Sequence, residues 1–288
     1  AGQGGAEDQA RADAALAGAR LPPHTRLMTR ARYYHVDAFT SRLFGGNPAG
    51  VCLLESWPGD DVLRRIAAEN NLSETAFLLD QGGPYALRWF TPILEVDLCG
   101  HATLASAHIV FTALKPQAAE VAFDTRSGRL AVRRASDLLI MDFPARPAQL
   151  VPPPPALLQG LGQPPREVLK ARDFLCVYDH EDAVRGLRPD FGVLAQLDCL
   201  GIIATAPGSD ADFVSRFFAP RAGLNEDPVT GSAHCTLVPY WSQRLKKKEL
   251  LAHQVSARGG ELYCTDRGDR TLIAGHAVTY MEGTLRLD

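Results

Sequence analysis

From residue 33 onward, short apolar and β-branched runs alternate with glycine, proline, asparagine and serine. Runs of this length, cut by turn-forming residues, predict short β-strands. The predicted strands are residues 33–39, 50–55, 75–79, 85–90, 120–125, 129–135, 138–143, 174–179, 200–206, 213–219, 253–257, 261–265 and 271–282. The pattern therefore predicts a protein built mainly of short strands.

Three segments have the patterning of helices instead. Residues 60–70 carry their apolar side chains on one face, which predicts an amphipathic helix with Asp60 as its N-cap. Residues 101–115 are apolar nearly all round, so we expect this helix to be buried on every side. Residues 232–248 are similar in their first half, and we expect Pro239 to kink or shorten that helix.

Two distant segments share a motif. The stretches "RWFTP" (88–92) and "RFFAP" (216–220) both consist of arginine, an aromatic residue, phenylalanine, a small residue and proline. Each is followed by a glycine, Gly100 or Gly231, that opens a predicted buried helix. The matching order indicates an ancient duplication that produced two similar β-rich domains, each wrapped around one central helix. A cleft between such halves is where a small ligand would bind.

The proline-rich stretch 143–165 has the composition of an inter-domain connection. We therefore assign residues 33–145 to domain 1 and 146–288 to domain 2, with a last strand that can return to domain 1. Residues 1–32 are rich in alanine, arginine and glycine, and we expect a flexible extension with no part in function. The acidic residues within this extension argue against a transit peptide.

Composition and charge narrow the classes of function. Thirty basic and 33 acidic residues give a net charge of -3, which leaves no broad positive field for nucleic acid or an anionic membrane. The longest strongly apolar stretch, 102–114, is too short to span a bilayer, which takes about 20 residues. Six scattered cysteines without a CxxC pair are typical of reduced thiols. We expect a cytoplasmic protein that binds neither nucleic acid nor membrane.

Gly100 and Gly231 would place two helix N-termini at the predicted cleft. Free N–H groups and the helix dipole bind anions there, and glycine allows a ligand to approach closely. Either glycine alone is explained as well by a sharp turn. The matched pair favours a site for a carboxylate, or for an oxyanion that forms during enolisation.

Three ionisable side chains are candidates for the chemistry. His101 lies in the first turn of its helix, where the positive helix end lowers its pKa and favours neutral imidazole, whereas His108 fits the core. The pair Glu226–Asp227 fits a capping position, a surface turn or a shaped catalytic loop. Glu74 begins a predicted strand, so it is either an exposed edge charge or an acid that faces the cleft.

Five segments carry a family resemblance: "FGGNPAGV", "NNLSETAF", "LRWFTP", "LCGHATLASA" and "EDPVTGSAH", in this order. The chain resembles the phenazine-biosynthesis PhzF-like family from residue 33 onward, with vertebrate-type members as its nearest relatives. The resemblance implies a diaminopimelate-epimerase-like α+β fold of two pseudo-symmetric domains, each an antiparallel, barrel-like sheet around a central helix. It also implies a homodimer.

The same resemblance implies isomerisation by proton transfer on a small carboxylate-bearing substrate, with no cofactor and no metal. The roles fall on positions that match the family motifs. The implied residues are Glu74, His101 and Asp227 for catalysis, and Ser73, Gly100, Gly231 and Ser232 for substrate binding.

Other chemistries fit less well. Related two-base racemases use opposed cysteines, but here Cys99 is matched by Thr230, whose hydroxyl is not a workable base at neutral pH. A hydrolase built on Ser232 lacks a GxSxG elbow. A metal site made of Cys99, His101, His234 and Cys235 lacks an established ligand spacing. A binding or protein-interaction module without turnover remains the alternative function.

Overall fold

The computed structural model describes residues 30–287, which contain eighteen strands and six α-helices. The strands are β1 Arg30–Ala38, β2 Asn47–Leu54, β3 Glu74–Asp80, β4 Tyr85–Phe90, β5 Glu95–Val96, β6 Glu120–Thr125, β7 Gly128–Ala135, β8 Leu138–Pro144, β9 Gln149–Leu150, β10 Glu167–Lys170, β11 Phe174–Val177, β12 Ile202–Pro207, β13 Phe213–Ala219, β14 Leu224–Asp227, β15 Glu249–Gln254, β16 Gly260–Asp266, β17 Arg270–Gly275 and β18 Ala277–Arg286. The helices are α1 Asp60–Asn70, α2 Gly100–Ile109, α3 Pro155–Leu161, α4 Glu181–Gly186, α5 Phe191–Leu194 and α6 Gly231–Leu245, with a π-helical turn at Val110–Leu114 and a 3-10 turn at Pro220–Ala222.

The strand pairing of the first half recurs in the second. β2 pairs in parallel with β3, β3 antiparallel with β4, and β4 in parallel with β6, after which β6, β7 and β8 form an antiparallel meander. β11, β12, β13, β15, β16 and β17 repeat this series of pairings. β8 pairs with β17, and β18 pairs with β1. The α+β class is confirmed, but the sheet is mixed rather than antiparallel. The two pseudo-symmetric domains remain a prediction, which the repeated pairing supports.

A matched ion pair precedes each of the two motif glycines. In the first half, Arg88 donates to both carboxylate oxygens of Glu95 at 2.7 Å. In the second, Arg216 donates to both oxygens of Glu226 at 2.7 and 2.8 Å. Bidentate pairs of this kind fix strand geometry as well as charge. The shared arginine of the two sequence motifs therefore holds the strand that leads to each helix.

The two long apolar helices occupy different parts of the sheet. α2 packs against β1, β2, β3, β8 and β18, whereas α6 packs against β15, β16 and β17. α2 is buried along its length except at half-buried His108, whose Nε2 lies 3.0 Å from Thr279 Oγ1. Residues 112 and 113 in the following π-helical turn are exposed, so the predicted burial on every side is wrong for the end of this segment.

Pro239 lies inside α6 but does not end it. Proline has no N–H, so the carbonyl of Cys235, four residues earlier, loses its intrahelical donor. The backbone N–H of Arg146 donates to that carbonyl at 2.8 Å instead. The neighbouring segment thus satisfies the group that the proline frees, and the helix continues to Leu245.

Several predicted boundaries are wrong. β1 begins at Arg30, which pairs with Arg286, so only residues 1–29 of the expected extension lie outside the described residues. The N-cap of α1 is Gly59, and Asp60 is the first residue of the helix. The negative charge of Asp60 still interacts favourably with the helix dipole at this position. The predicted strand 271–282 is two strands that meet at residue 276.

The proline-rich stretch is also more ordered than a linker. It contains β9 and α3, and Leu157 and Leu161 of α3 are buried in an apolar cluster of the second half. Proline at the first position of α3 suits a helix start, because that N–H needs no partner. The proline content predicts a connection but does not reveal this helix, because helix-starting prolines and linker prolines look alike in sequence.

Within residues 30–287, no helix combines the length and the apolar character needed to cross a bilayer. All six cysteines are free thiols, and five of them are buried. The cytoplasmic location stays a prediction.

Candidate active site

The N-termini of α2 and α6 meet at their first residues. A Cβ atom placed on Gly100 would lie 3.6 Å from the Cα of Gly231. Neither glycine has a positive φ, so left-handed backbone is not the reason for glycine at these positions. A Cβ at this distance would make only an ordinary van der Waals contact, so glycine is not required for the two helix starts to approach. Their proximity brings together N–H groups that lack intrahelical partners and two positive dipole ends. Such a junction attracts an anion.

Glu74 and His101 form a contact beside this junction. Glu74 is the first residue of β3, its side chain is 18% exposed, and its Oε2 lies 3.2 Å from His101 Nε2. Burial lowers the pKa of His101 to about 3, so the ring is neutral at physiological pH. The predicted direction of that shift is confirmed, but burial rather than the helix dipole is its cause.

A glycine-dependent turn brings Asn47 into the site. Gly46 has a φ of +61°, and a Cβ there would lie 2.1 Å from the carbonyl oxygen of Ala38. Only glycine fits this position, which immediately precedes β2. Asn47 follows as a fully buried residue.

Asn47 favours one ring form of His101. Its Nδ2 donates to Asp227 Oδ1 at 2.8 Å and to the carbonyl of Val229 at 2.9 Å, which fixes the orientation of the amide and uses both of its hydrogens. The same Nδ2 lies 3.2 Å from His101 Nδ1. An amide nitrogen cannot accept a hydrogen bond, so this approach favours the neutral ring form whose Nδ1 carries no hydrogen. In that form the hydrogen is on Nε2, which lies 3.2 Å from Glu74 Oε2.

Asp227 accepts hydrogen bonds from several residues, through its carboxylate and its backbone carbonyl. Successive side chains of a strand point to opposite faces, so in β14 the side chain of Asp227 points away from that of Glu226, which pairs with Arg216. Its Oδ2 accepts from the Thr230 hydroxyl at 2.5 Å, and its backbone carbonyl accepts from Gln254 Nε2 at 2.7 Å. Burial raises the pKa of Asp227 to about 6, although the hydrogen bonds from Thr230 and Asn47 act in the opposite direction.

The carboxyl of Glu74 has a pKa close to neutral pH. Burial, and then the negative charge of Asp227, raise the pKa of Glu74 to about 8, while a hydrogen bond from Cys99 opposes the rise. At neutral pH the carboxyl of Glu74 thus holds a proton and that of Asp227 is ionised. A carboxyl with a pKa near the working pH can both accept and return a proton.

The other half lacks matching groups. Aligning the two motifs through the strand register places Gly201 at the position of Glu74. Cys99 is buried, and burial together with Glu74 raises the pKa of its thiol well above the usual range. Its counterpart Thr230 is engaged with Asp227. These contacts favour proton transfer from one side of the site rather than between two thiols.

Ser232 lies on the α6 side of the junction. Its Oγ accepts from Arg172 Nη2 at 3.1 Å. No hydrogen bond joins Ser232 to His101 in the described part of the chain, so the hydrolase triad is not assembled. Ser73 is half-buried in the turn before Glu74. The structure thus gathers Glu74, His101 and Asp227 into one network, with Ser232 in a second one across the junction.

Three residues of the network could hold a metal ion. Ligand atoms of Glu74, Cys99 and His101 lie within 4.8 Å of one another. His234 and Cys235 are not part of this group among the described residues. In the metal-free protein both the Glu74 carboxyl and the Cys99 thiol favour their protonated forms, so a metal ion would have to displace both protons to bind here.

Three polar residues at this site are not among those predicted from the sequence. Asn47 stands inside the motif "FGGNPAGV", and a lone asparagine after two glycines was a usable signal. Gln254 ends a strand and Arg172 lies in a hairpin turn, and no local pattern distinguishes either from a surface residue.

A phenazine biosynthesis-like protein family matches residues 36–283 of the chain. The chain belongs to this family. An uncharacterized isomerase of Pseudomonas aeruginosa is 52% identical over 256 residues, which cover 88% of this chain and 98% of the relative. The phenazine biosynthesis-like domain-containing protein 1 of Mus musculus is 42% identical over 280 residues, with 86% and 96% covered. Vertebrate-type members are therefore not the nearest relatives, which corrects the expectation from the motifs.

Solved structures agree with this membership. A PhzF-family protein of Enterococcus faecalis superposes with a TM-score of 0.87 at 45% identity, covering 89% of this chain and 99% of that one. A hydroxyproline epimerase of Agrobacterium vitis shares the fold, with a TM-score of 0.59 at 13% identity over 91% and 94% of the two chains. The chain thus has the same α+β fold as this epimerase.

Proposed function

We propose that this protein is an isomerase that moves a carbon-bound proton on a small carboxylate-bearing metabolite, with Glu74 as its acid and base and no cofactor. The observation that carries the proposal is the largely buried carboxyl of Glu74, whose pKa is raised to about 8 and whose Oε2 lies 3.2 Å from Nε2 of neutral His101. Relatives named as isomerases support the reaction class.

The proposed step transfers only a proton. The Glu74 carboxylate takes a proton from a carbon next to, or conjugated with, the substrate carboxylate, and the electron pair moves onto the conjugated oxygen. N–H groups at the starts of α2 and α6, at Gly100 and Gly231, stabilise that oxygen. Glu74 then returns the proton to another carbon, so that atoms and charge balance. His101 holds Glu74 through Nε2–H during both transfers.

Asp227 acts on this chemistry through other residues. Both of its carboxylate oxygens accept hydrogen bonds from the protein, one from Asn47 and one from Thr230. Its charge raises the pKa of Glu74, and its bond to Asn47 helps to fix His101. We therefore propose Asp227 as a positioning residue, and Ser73 and Ser232 as groups that contact the substrate.

The proposal also includes the broader organisation expected from the sequence. It comprises a first domain at 33–145, extended to Arg30 by β1, and a second domain at 146–288, whose last strand β18 returns to pair with β1, with the site between the two domains. It also comprises a homodimer, a cytoplasmic location, and the small carboxylate as ligand rather than a nucleic acid or a membrane. The repeated strand pairing and the contact between Gly100 and Gly231 support a site between two halves.

A deuterium screen tests whether the protein turns over a substrate. A panel of small carboxylic acids is incubated with the protein in deuterated buffer, and carbon-bound deuterium is followed by NMR and mass spectrometry. We expect at least one acid to gain deuterium at a carbon adjacent to or conjugated with its carboxylate. Binding of an acid without exchange would instead establish a metabolite-binding module.

A further inference from the structure

Arg172 is a fixed cation next to the α6 helix start. It lies in the turn between β10 and β11, and its Nη2 is 3.1 Å from the Oγ of Ser232 in the first turn of α6. Neighbouring Asp173 is 1% exposed and accepts from Arg172 Nε at 3.1 Å and from Nη2 at 2.7 Å. A buried carboxylate therefore holds one edge of the guanidinium in place.

One nitrogen of that guanidinium is available. Of the five N–H donors of an arginine, three are used here: Nε–H and one Nη2 hydrogen by Asp173, and the other Nη2 hydrogen by Ser232. Nη1 of Arg172 has no hydrogen-bond partner among residues 30–287, and the side chain remains 32% exposed. An arginine that is held by a buried acid and keeps both Nη1 hydrogens free can donate to an anion such as a carboxylate beside the Ser232 hydroxyl.

Only the second half has this cation. The strand register places Pro48 at the position that corresponds to Arg172, just as it places Gly201 at the position of Glu74. The two halves therefore carry complementary groups, with a proton-transferring acid on the α2 side of the junction and a fixed cation on the α6 side. A substrate that spans the junction has a defined direction.

We propose that Arg172, together with Ser232, binds the substrate carboxylate and thereby directs the acidic C–H toward Glu74. This inference rests on the proposed function and adds the orientation of the substrate. It assigns the ligand to small acids whose exchangeable C–H lies on the side of the molecule opposite the bound carboxylate oxygens. Arg172 thus determines specificity and does not transfer the proton.

Oxalate, a small planar carboxylate, serves as the probe because its binding requires no turnover. Calorimetric titration of the full chain is expected to show saturable binding that weakens about tenfold or more in Arg172→Gln, since a charge-assisted hydrogen bond is lost. Arg166→Gln is the matched control, because Arg166 precedes the same hairpin and pairs with exposed Asp179. That variant should bind oxalate like the wild type.

Two further measurements distinguish the loss of a binding group from misfolding of the variant. Arg172→Gln leaves the buried Asp173 unpaired, so the double variant with Asp173→Asn, which removes both charges, is titrated as well. In the wild-type protein, oxalate should protect Arg172 from phenylglyoxal, as read from peptide masses. Unchanged affinity in both variants, absence of protection, or no saturable binding of oxalate in the millimolar range would each overturn the inference.

The outcomes separate this inference from the proposed function. Arg172-dependent oxalate binding without any Glu74-dependent exchange would support the carboxylate site and reject the isomerase. Exchange with an unchanged KM in Arg172→Gln would support the isomerase and reject the role of Arg172.

Discussion

Glu74→Gln is expected to slow exchange of the substrate C–H with solvent by about 10²- to 10⁴-fold, the usual contribution of a positioned general acid or base. Glutamine preserves the size of the side chain and an oxygen that can accept from His101 Nε2. It cannot take up a proton at neutral pH, so the chemical step loses its base while the fold is retained. The rate is measured by NMR in deuterated buffer on an acid found by the screen.

Glu74→Asp is the matched variant for this prediction. It keeps an ionisable carboxyl but withdraws it by one methylene from His101 and from the helix junction. We expect a rate between those of the wild type and Glu74→Gln. Full turnover in Glu74→Gln, with an unchanged thermal unfolding profile, would remove Glu74 from the proposed role.

Asn47→Ala is expected to lower the free energy of unfolding by about 2–4 kcal/mol and to reduce exchange by at least about tenfold. The substitution removes the donor shared by Asp227, Val229 and His101, so a buried carboxylate and a buried carbonyl lose a partner. It also frees His101 to adopt the other tautomer, in which Nε2 no longer donates to Glu74. Chemical denaturation and the ¹⁵N shifts of the imidazole report the two effects separately.

Asn70→Ala provides the comparison. Asn70 is half-buried and donates a single hydrogen bond, at 3.1 Å to Thr75 Oγ1. We expect a loss of about 1 kcal/mol and an unchanged His101 tautomer. If Asn47→Ala matched this variant in stability and kept hydrogen on Nε2, the network around Asn47 would not determine the state of His101.

Much of the candidate site can be predicted from the sequence, because the motifs that mark it are continuous stretches of the chain. Each long apolar helix starts at a glycine that follows the repeated arginine-aromatic motif, eight residues after Pro92 in one half and eleven after Pro220 in the other. Gly100, His101 and Gly231 can therefore be predicted from the sequence to lie at helix starts. The direction of the pKa shift of His101 is also predicted, from the positive helix end, although burial is what lowers the pKa in the structure.

What the sequence did not reveal depends on contacts between distant segments. Asn47 reaches Asp227 across 180 positions of the chain, and Arg172 reaches Ser232 across 60. Neither pair leaves a local pattern, because only the strand register brings the partners together. Four strands of two to four residues, β5, β9, β10 and β14, are not predicted from the sequence because they are too short to show alternation.

Pro239 is another case in which a contact with a distant segment, here one to a backbone carbonyl, cannot be predicted from the local sequence. Local rules state that proline deprives the carbonyl of Cys235 of its donor. They do not show that Arg146 lies close enough to replace it. The helix therefore continues where its own sequence indicates a kink or a stop.

The pH profile of the exchange rate tests the central claim most directly, since it links the acidity of Glu74 to the proton it moves. Abstraction from carbon requires the carboxylate, and burial raises the pKa of Glu74 to about 8. The account predicts that kcat/KM for exchange rises with pH and is half-maximal near that value, with no such rise in Glu74→Gln. A flat profile from about pH 6 to about pH 9, or the same rise in Glu74→Gln, would contradict it.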